Sequence, residues 1–222
     1  MQLKEVKALI KNFKPEPTGI KFLDDRFEEM RNPQGYVAPY YRFFYQLVKE
    51  LKPLVIVELG SWQGTSAAHF AAGCPESTVI TVDHHTDPGD RTNRALTITA
   101  EREFENLTYC QGWTCSHLYE EERDQHSEVG QNAYPKVLKV LDKRKIDLLF
   151  IDSWHRYDQA VKDWYAYKPL LKEGALVICD DIIQGSEGAG IENMVQFWEE
   201  RNGDKFLDTS LHSGYPIGFL QL

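Results

Sequence analysis

The sequence predicts an α/β domain with a seven-stranded, doubly wound sheet, mostly parallel and closed by an antiparallel hairpin at its C-terminal end. Three observations carry that expectation. From residue 55 onward, short β-branched runs alternate with amphipathic helical stretches, the pattern of right-handed βαβ units. The first run, Val55-Ile-Val-Glu58-Leu, breaks into a turn with Gly60 and Gly64, where the chain can bend sharply and approach a ligand closely. The last two strand candidates are joined only by Ser213-Gly-Tyr-Pro216, enough for a hairpin and too short for a crossover helix. With 222 residues, 42% of them hydrophobic, the chain suits one compact domain.

Residues 3–13 and 20–30 have amphipathic helical spacing, interrupted by Lys14-Pro15-Glu16-Pro17-Thr18-Gly19, which cannot be helical throughout. Residues 1–38 are therefore expected to form a helical extension, acting as a lid or an interface, ahead of the main domain at 39–222. A stronger helix runs from Pro39 to Leu51, with Tyr40, Phe43, Phe44, Leu47 and Val48 as a core stripe, and Pro53 ends it. Strands follow at Val55–Leu59, Thr78–Val82, Leu107–Cys110, Asp147–Ile151, Ala175–Cys179, Phe206–Leu211 and Ile217–Leu222. Helical spacing fills 64–73, 97–104, 133–143, 156–171 and 190–202. The segment from Asp83 to Arg102 is the least regular and reads as a functional loop or insertion, while 124–132 is a polar surface loop. The sum is a Rossmann-like sheet whose ligands belong at the carboxyl ends of its strands.

The formal net charge of -9 and a pI near 5.3 argue against a nucleic-acid partner, because phosphate binding draws on Lys and Arg. A small-molecule substrate is favoured instead. No uninterrupted apolar run reaches the roughly 18–20 residues of a membrane span, and the first residues lack the apolar core of a leader, so a soluble, cytoplasmic protein without a membrane partner is expected. Cys74, Cys110, Cys115 and Cys179 form no C-x-x-C pair and read as free thiols.

The turn after the first strand narrows the cofactor. A dinucleotide loop wants bare backbone for its pyrophosphate; here Trp62 and Thr65 stand at the second and third glycine positions, and Glu58 precedes the turn. Trp62 would block a pyrophosphate and Glu58 would repel it. A phosphate-free, cationic cofactor such as S-adenosylmethionine fits better, with Glu58, Gly60, Ser61, Trp62, Gly64 and Ser66 as its candidate binding loop. Asp83, ending the second strand, stands where α/β cofactor folds bind ribose hydroxyls, although a turn-capping role is the alternative. Gly112 and Trp113, with Thr114, could wall the adenine or simply pack.

Asp152 ends the fourth strand and Asp180-Asp181 the fifth; neighbouring strands would bring these carboxylates together. Like charges at close range need neutralising, and Mg²⁺ or another divalent cation with oxygen ligands would do so. The alternative has Asp152 capping a helix and only one of Asp180 and Asp181 facing inward, since successive strand residues alternate faces. His155, three residues beyond Asp152, is the candidate base, with His84 and His85 in reserve. His69 and His117 read as packing or surface residues.

Together these motifs resemble class I S-adenosylmethionine-dependent methyltransferases over about residues 40–222, and within them the small metal-dependent O-methyltransferases of the catechol, macrolide-sugar and cephalosporin-cluster types. The resemblance rests on Glu58-Leu-Gly60-x-x-x-Gly64-x-Ser66, Asp83, Ile-Asp152-x-Trp154-His155-x-Tyr157 and Asp180-Asp181. It implies that the first loop holds the methionine moiety, that Asp152, Asp180 and Asp181 ligate the metal, and that a small-molecule hydroxyl accepts the methyl group. The catechol-type lysine is replaced by His155, which leaves the base open. No Asn-Pro-Pro-Tyr or Asp-Pro-Pro-Tyr motif points to amino-group methylation. Alternatives are a metal-independent enzyme using His155 as base, a cofactor-binding pseudoenzyme and, against Trp62, an NAD-dependent dehydrogenase. The aromatic N-terminal helices allow a homodimer.

Overall fold

The computed structural model describes residues 2–29, 39–85, 91–114, 132–185, 192–212 and 215–222. Cys115, His117, residues 124–131 of the polar loop and Ser213-Gly214 of the hairpin link lie outside them. The strands are β1 (Val55–Leu59), β2 (Thr78–Asp83), β3 (Leu107–Gln111), β4 (Ile146–Ile151), β5 (Leu171–Cys179), β6 (Asp204–Asp208) and β7 (Ile217–Gln221). They form one seven-stranded sheet in the order β3-β2-β1-β4-β5-β7-β6, with β7 antiparallel to both of its neighbours. The helices are α1 (Leu3–Asn12), α2 (Lys21–Glu29), α3 (Tyr40–Leu51), α4 (Thr65–Gly73), α5 (Arg91–Glu103), α6 (Tyr134–Leu141), α7 (Tyr157–Tyr167) and α8 (Met194–Glu199). Among the described residues, no helix is long and apolar enough to cross a membrane.

Alternation along the buried strands builds two cores. Ile56, Leu148, Phe150, Leu176 and Ile178 face one side, where Phe43, Phe44 and Leu47 of α3 and Phe70 of α4 cover them. Val57, Leu59, Leu149, Ile151, Val177 and Cys179 face the other, under Val137 of α6, Trp164 and Tyr167 of α7, and Phe197 of α8. Leu3 and Val6 of α1 and Leu23 and Phe27 of α2 join the first core, so the N-terminal helices extend it and do not form one of their own.

Several boundaries move for identifiable reasons. Within the stretch expected to be irregular, residues 91–96 already belong to α5, whose interior Thr97 and Ala100 are buried. Pro169 ends the helical path of α7 in a single 3-10 turn, so β5 starts at Leu171 and not at residue 175. β6 closes at Asp208 because that side chain turns the backbone: its Oδ1 accepts from the amides of Ser210 and Leu211 at 2.9 and 3.0 Å. Strand order reverses between β1 and β4, and the chain opens a crevice at their carboxyl ends.

Candidate active site

A cavity of about 460 Å³ occupies that crevice, lined by residues following β1 to β4 and by Gln159 of α7. Gly60, Trp62, Asp83, Gly112, Trp113 and Asp152, all predicted, line it together with Thr114, Ser153 and Trp154. Its lining holds two carboxylates and no Lys or Arg, the wrong polarity for a phosphate and the right one for a cation. The ring of His84 lies 4.5 Å from that of Trp113 and is tilted 36° to it, so two aromatic rings stand together in the cavity lining.

Asp83 organises the first turn. Its Oδ2 accepts from the amides of Ser61 and Trp62 at 2.9 and 2.8 Å, while the carboxylate also borders the cavity. Trp62 has φ +42°, an unusual conformation for so large a residue, held from both sides. Its carbonyl accepts from His85 Nε2 at 2.6 Å and from Thr97 Oγ1 at 3.1 Å. Nδ1 of the same ring lies 2.6 Å from the Tyr109 hydroxyl, which donates to the Asp83 carbonyl at 3.2 Å, so His85 braces the turn from β2 to Trp62.

Glu58, Ser61, Gly64 and Ser66 do not line the cavity. Glu58 lies on the α4 side of β1, fully buried, and accepts hydrogen bonds from the hydroxyls of Ser66 and Thr81. Burial lifts its carboxyl from 4.5 to about 7, against the two hydroxyl bonds, with the Asp83 charge adding to the rise. The folded chain thus holds a proton that the unfolded chain releases as pH rises from 4.5 to about 7, so this group's contribution falls through that window. The change corresponds to about 3 kcal/mol. Glu58→Gln should flatten the dependence and be the more stable form above about pH 7. Stability curves by urea unfolding that stay parallel for the two proteins between about pH 5 and pH 8 would count against this assignment.

Beside the cavity lies a second cluster. Asp152 Oδ1 is 3.0 Å from His155 Nε2, and Asp181 Oδ2 is 3.2 Å from His155 Nδ1. Strand alternation alone would split Asp180 from Asp181; instead Asp181 takes φ +54°, a left-handed turn that returns its carboxylate to the side of Asp180. His212 Nδ1 approaches both, at 3.6 Å from Asp180 Oδ1 and 3.9 Å from Asp181 Oδ1. Burial, followed by the Asp180 charge, holds the Asp152 carboxyl well above its usual range despite His155. Burial pulls His155 down, but Asp152 and then Asp181 outweigh it and raise the imidazole to about 9. His155 therefore bridges Asp152 and Asp181 through both ring nitrogens, and can accept a further proton only once one of those partners is engaged elsewhere.

A methyltransferase-domain family matches residues 57–182, more than half of the chain. The chain belongs to that family. No curated protein sequence matches it. Its fold is that of class I methyltransferases, seen in an O-methyltransferase from Bacillus cereus in complex with S-adenosylhomocysteine (TM-score 0.59, 13% identity, covering 97% of this chain and 96% of that one). The TomG O-methyltransferase of Streptomyces achromogenes, involved in tomaymycin synthesis and bound to S-adenosylmethionine, gives 0.59 and 16%, with coverage of 97% and 94%. A Podospora anserina methyltransferase bound to S-adenosylhomocysteine gives 0.61 and 15%, with 99% and 95%.

Some residues of the candidate site escape sequence reasoning. His212 sits in the turn between β6 and β7, where no spacing rule ties it to β5. Tyr40 reads as core stripe and is core, yet its ring also lies 5.2 Å from that of His212. Asp163, fully buried on α7, accepts hydrogen bonds from Ser153, Thr114 and Gln159, three residues of the cavity lining. Its only sequence signal is a carboxylate on the buried face of an amphipathic helix. His69, read as packing or surface, is buried, and burial holds its ring down to about 4, neutral at ordinary pH.

Proposed function

We propose that the chain is an S-adenosylmethionine-dependent O-methyltransferase acting on a small-molecule hydroxyl. One observation carries the reading: Asp152 lines the cation-suited cavity and is also the first member of the Asp152–His155–Asp181 chain. Cofactor and acceptor would meet there. The cofactor supplies an electrophilic methyl group: the acceptor oxygen forms its bond to that carbon as the sulfur–carbon bond breaks, leaving S-adenosylhomocysteine, and the hydroxyl proton must leave.

The chain's own residues align and deprotonate. Trp113 and His84 offer aromatic faces for the adenine, and Asp83 offers carboxylate oxygen to the ribose while bracing the Ser61–Trp62 turn. Orientation of this kind supplies roughly 7–11 kcal/mol in well-aligned systems. Proton removal falls to His155, whose ring nitrogens face Asp152 and Asp181.

A divalent cation suits the acidic corner. Asp180 Oδ1 and Asp181 Oδ1 are buried without a hydrogen-bond partner, the condition in which a carboxylate oxygen gains most from an ion. A bound dication would lower the acceptor's pKa and hold the carboxylates' charge. A metal-independent reaction is the second reading, favoured by His155 already neutralising two acids. Chelator treatment separates the two: full methyl-transfer rate after metal removal supports the second.

Calorimetry with S-adenosylmethionine and S-adenosylhomocysteine, with and without Mg²⁺, tests the reading at its base. Asp83→Ala should weaken cofactor binding by about 1.5–3 kcal/mol, the range for a hydrogen bond to a charged group. Unchanged affinity in a folded Asp83→Ala protein would remove Asp83 from the cofactor site.

A further inference from the structure

We propose that His212 is a metal ligand, and that with Asp180 and Asp181 it forms a mixed nitrogen and oxygen site for a transition-metal dication, Mn²⁺ being the probe, in preference to Mg²⁺. This rests on the metal-assisted reading above and alters both its ligand set and its ion. Asp152, Asp180 and Asp181 alone would make an all-oxygen site. The structure instead engages Asp152 Oδ1 with His155 and turns a nitrogen toward the other two acids.

The atoms left over point to a ligand. Asp180 Oδ1, Asp181 Oδ1 and His212 Nδ1 are each buried and each without a hydrogen-bond partner. Orphaned buried polar atoms are rare, because each forfeits its hydration with nothing in return. Three of them converge here, with ligand atoms of the three residues within 4.8 Å of one another. The His212 separations of 3.6 and 3.9 Å are too long for hydrogen bonds. Two atoms bound to one ion at about 2.0–2.2 Å each can stand up to about 4.4 Å apart, so both separations suit shared coordination.

His212 is held for the task. The Asp208 carboxylate accepts from the Ser210 amide and hydroxyl at 2.9 Å and from the Leu211 amide at 3.0 Å, and the Leu211 carbonyl accepts from the Tyr40 amide at 3.2 Å. Rings of Tyr40 and Tyr215 flank the imidazole at 5.2 and 5.1 Å. Opposite, Asp181 spends Oδ2 on His155 and keeps Oδ1 toward His212. Ligand chemistry then selects the ion. Mg²⁺ takes oxygen ligands and keeps its waters, whereas imidazole nitrogen favours first-row transition dications, of which Mn²⁺ is the weakest binder and the one that also suits the two carboxylates.

The test uses the full chain, stripped with chelator and titrated calorimetrically with MnCl₂ and, separately, MgCl₂, without cofactor. Expected results are Mn²⁺ binding at least tenfold tighter than Mg²⁺, and His212→Ala losing at least tenfold in Mn²⁺ affinity while Mg²⁺ affinity changes less. Mn²⁺ bound to the parent protein should show a nitrogen coupling in electron spin-echo spectra, absent in His212→Ala. Thermal melts and S-adenosylhomocysteine binding of His212→Ala check its fold independently of the metal. Equal affinities for the two ions, or an unchanged Mn²⁺ affinity and spectrum in a folded His212→Ala protein, would overturn the assignment and leave His212 as a plain counter-ion. Failure of the methyltransferase reading is separable, since it would appear as absent cofactor binding whatever the metal result.

Discussion

His155→Ala is expected to lower kcat by about 10²–10⁴-fold, the usual worth of a positioned general base, with cofactor affinity nearly unchanged because His155 does not line the cavity. The geometry makes the expectation specific. His155 has Nε2 on Asp152 and Nδ1 on Asp181, whereas His85 is tied to Trp62 and Tyr109 and His69 is buried on α4; His84 on the cavity wall and His212 beside Asp180 are the histidines to which a surviving rate would point. Removing the ring also strips a counter-charge from buried acids, so melting temperature must be read alongside rate. His155→Gln keeps a polar group of similar reach without a titrating nitrogen; it should recover stability and not rate. Near-parental kcat in either variant would move proton removal to His84, His212 or the carboxylates.

Much of this arrangement is readable in the amino acids, because strand ends are where a parallel sheet must place its chemistry. Asp83, Asp152 and Asp180 each directly follow or close a buried apolar run, so periodicity alone puts them on one rim. Less legible is what depends on backbone handedness and long-range contact. Asp181 obeys the alternation rule up to β5 and then escapes it through one left-handed residue. Glu58 follows the rule throughout: it stands beside the glycine turn, and the parity that sends Val57 and Leu59 to the α6–α8 side sends Glu58 to Ser66 and Thr81. The helix α5 was obscured by its polar composition, for only Thr97 and Ala100 are buried along its length. Charge patterning of that kind describes a solvated face and says little about whether a helix forms.

Gly60→Ala is expected to destabilise the chain by about 2–5 kcal/mol, combining about 1–2 kcal/mol for a side chain forced to positive φ with about 1–3 kcal/mol for overpacking. Gly60 has φ +93°, and a Cβ built on it would stand 2.2 Å from the Asp152 carbonyl oxygen and 2.8 Å from the Ser153 amide nitrogen. Neither contact can relax by rotating a side chain, since both atoms are backbone. The Gly60 amide donates to Val82 at 2.8 Å and the Asp152 amide to Leu59 at 2.8 Å, so relief would pull apart the three strand ends that frame the cavity. Cofactor affinity should therefore fall together with stability. Gly174 is the internal control: φ is +73° there, but an added Cβ meets nothing nearer than 3.9 Å. Gly174→Ala carries the conformational cost alone, about 1–2 kcal/mol, and should leave cofactor binding intact. Urea unfolding of the two variants separates backbone strain from close approach. Equal losses at both positions would mean that the β1 turn and the start of the β4 loop are not in contact, and the crevice would lose its rigid floor.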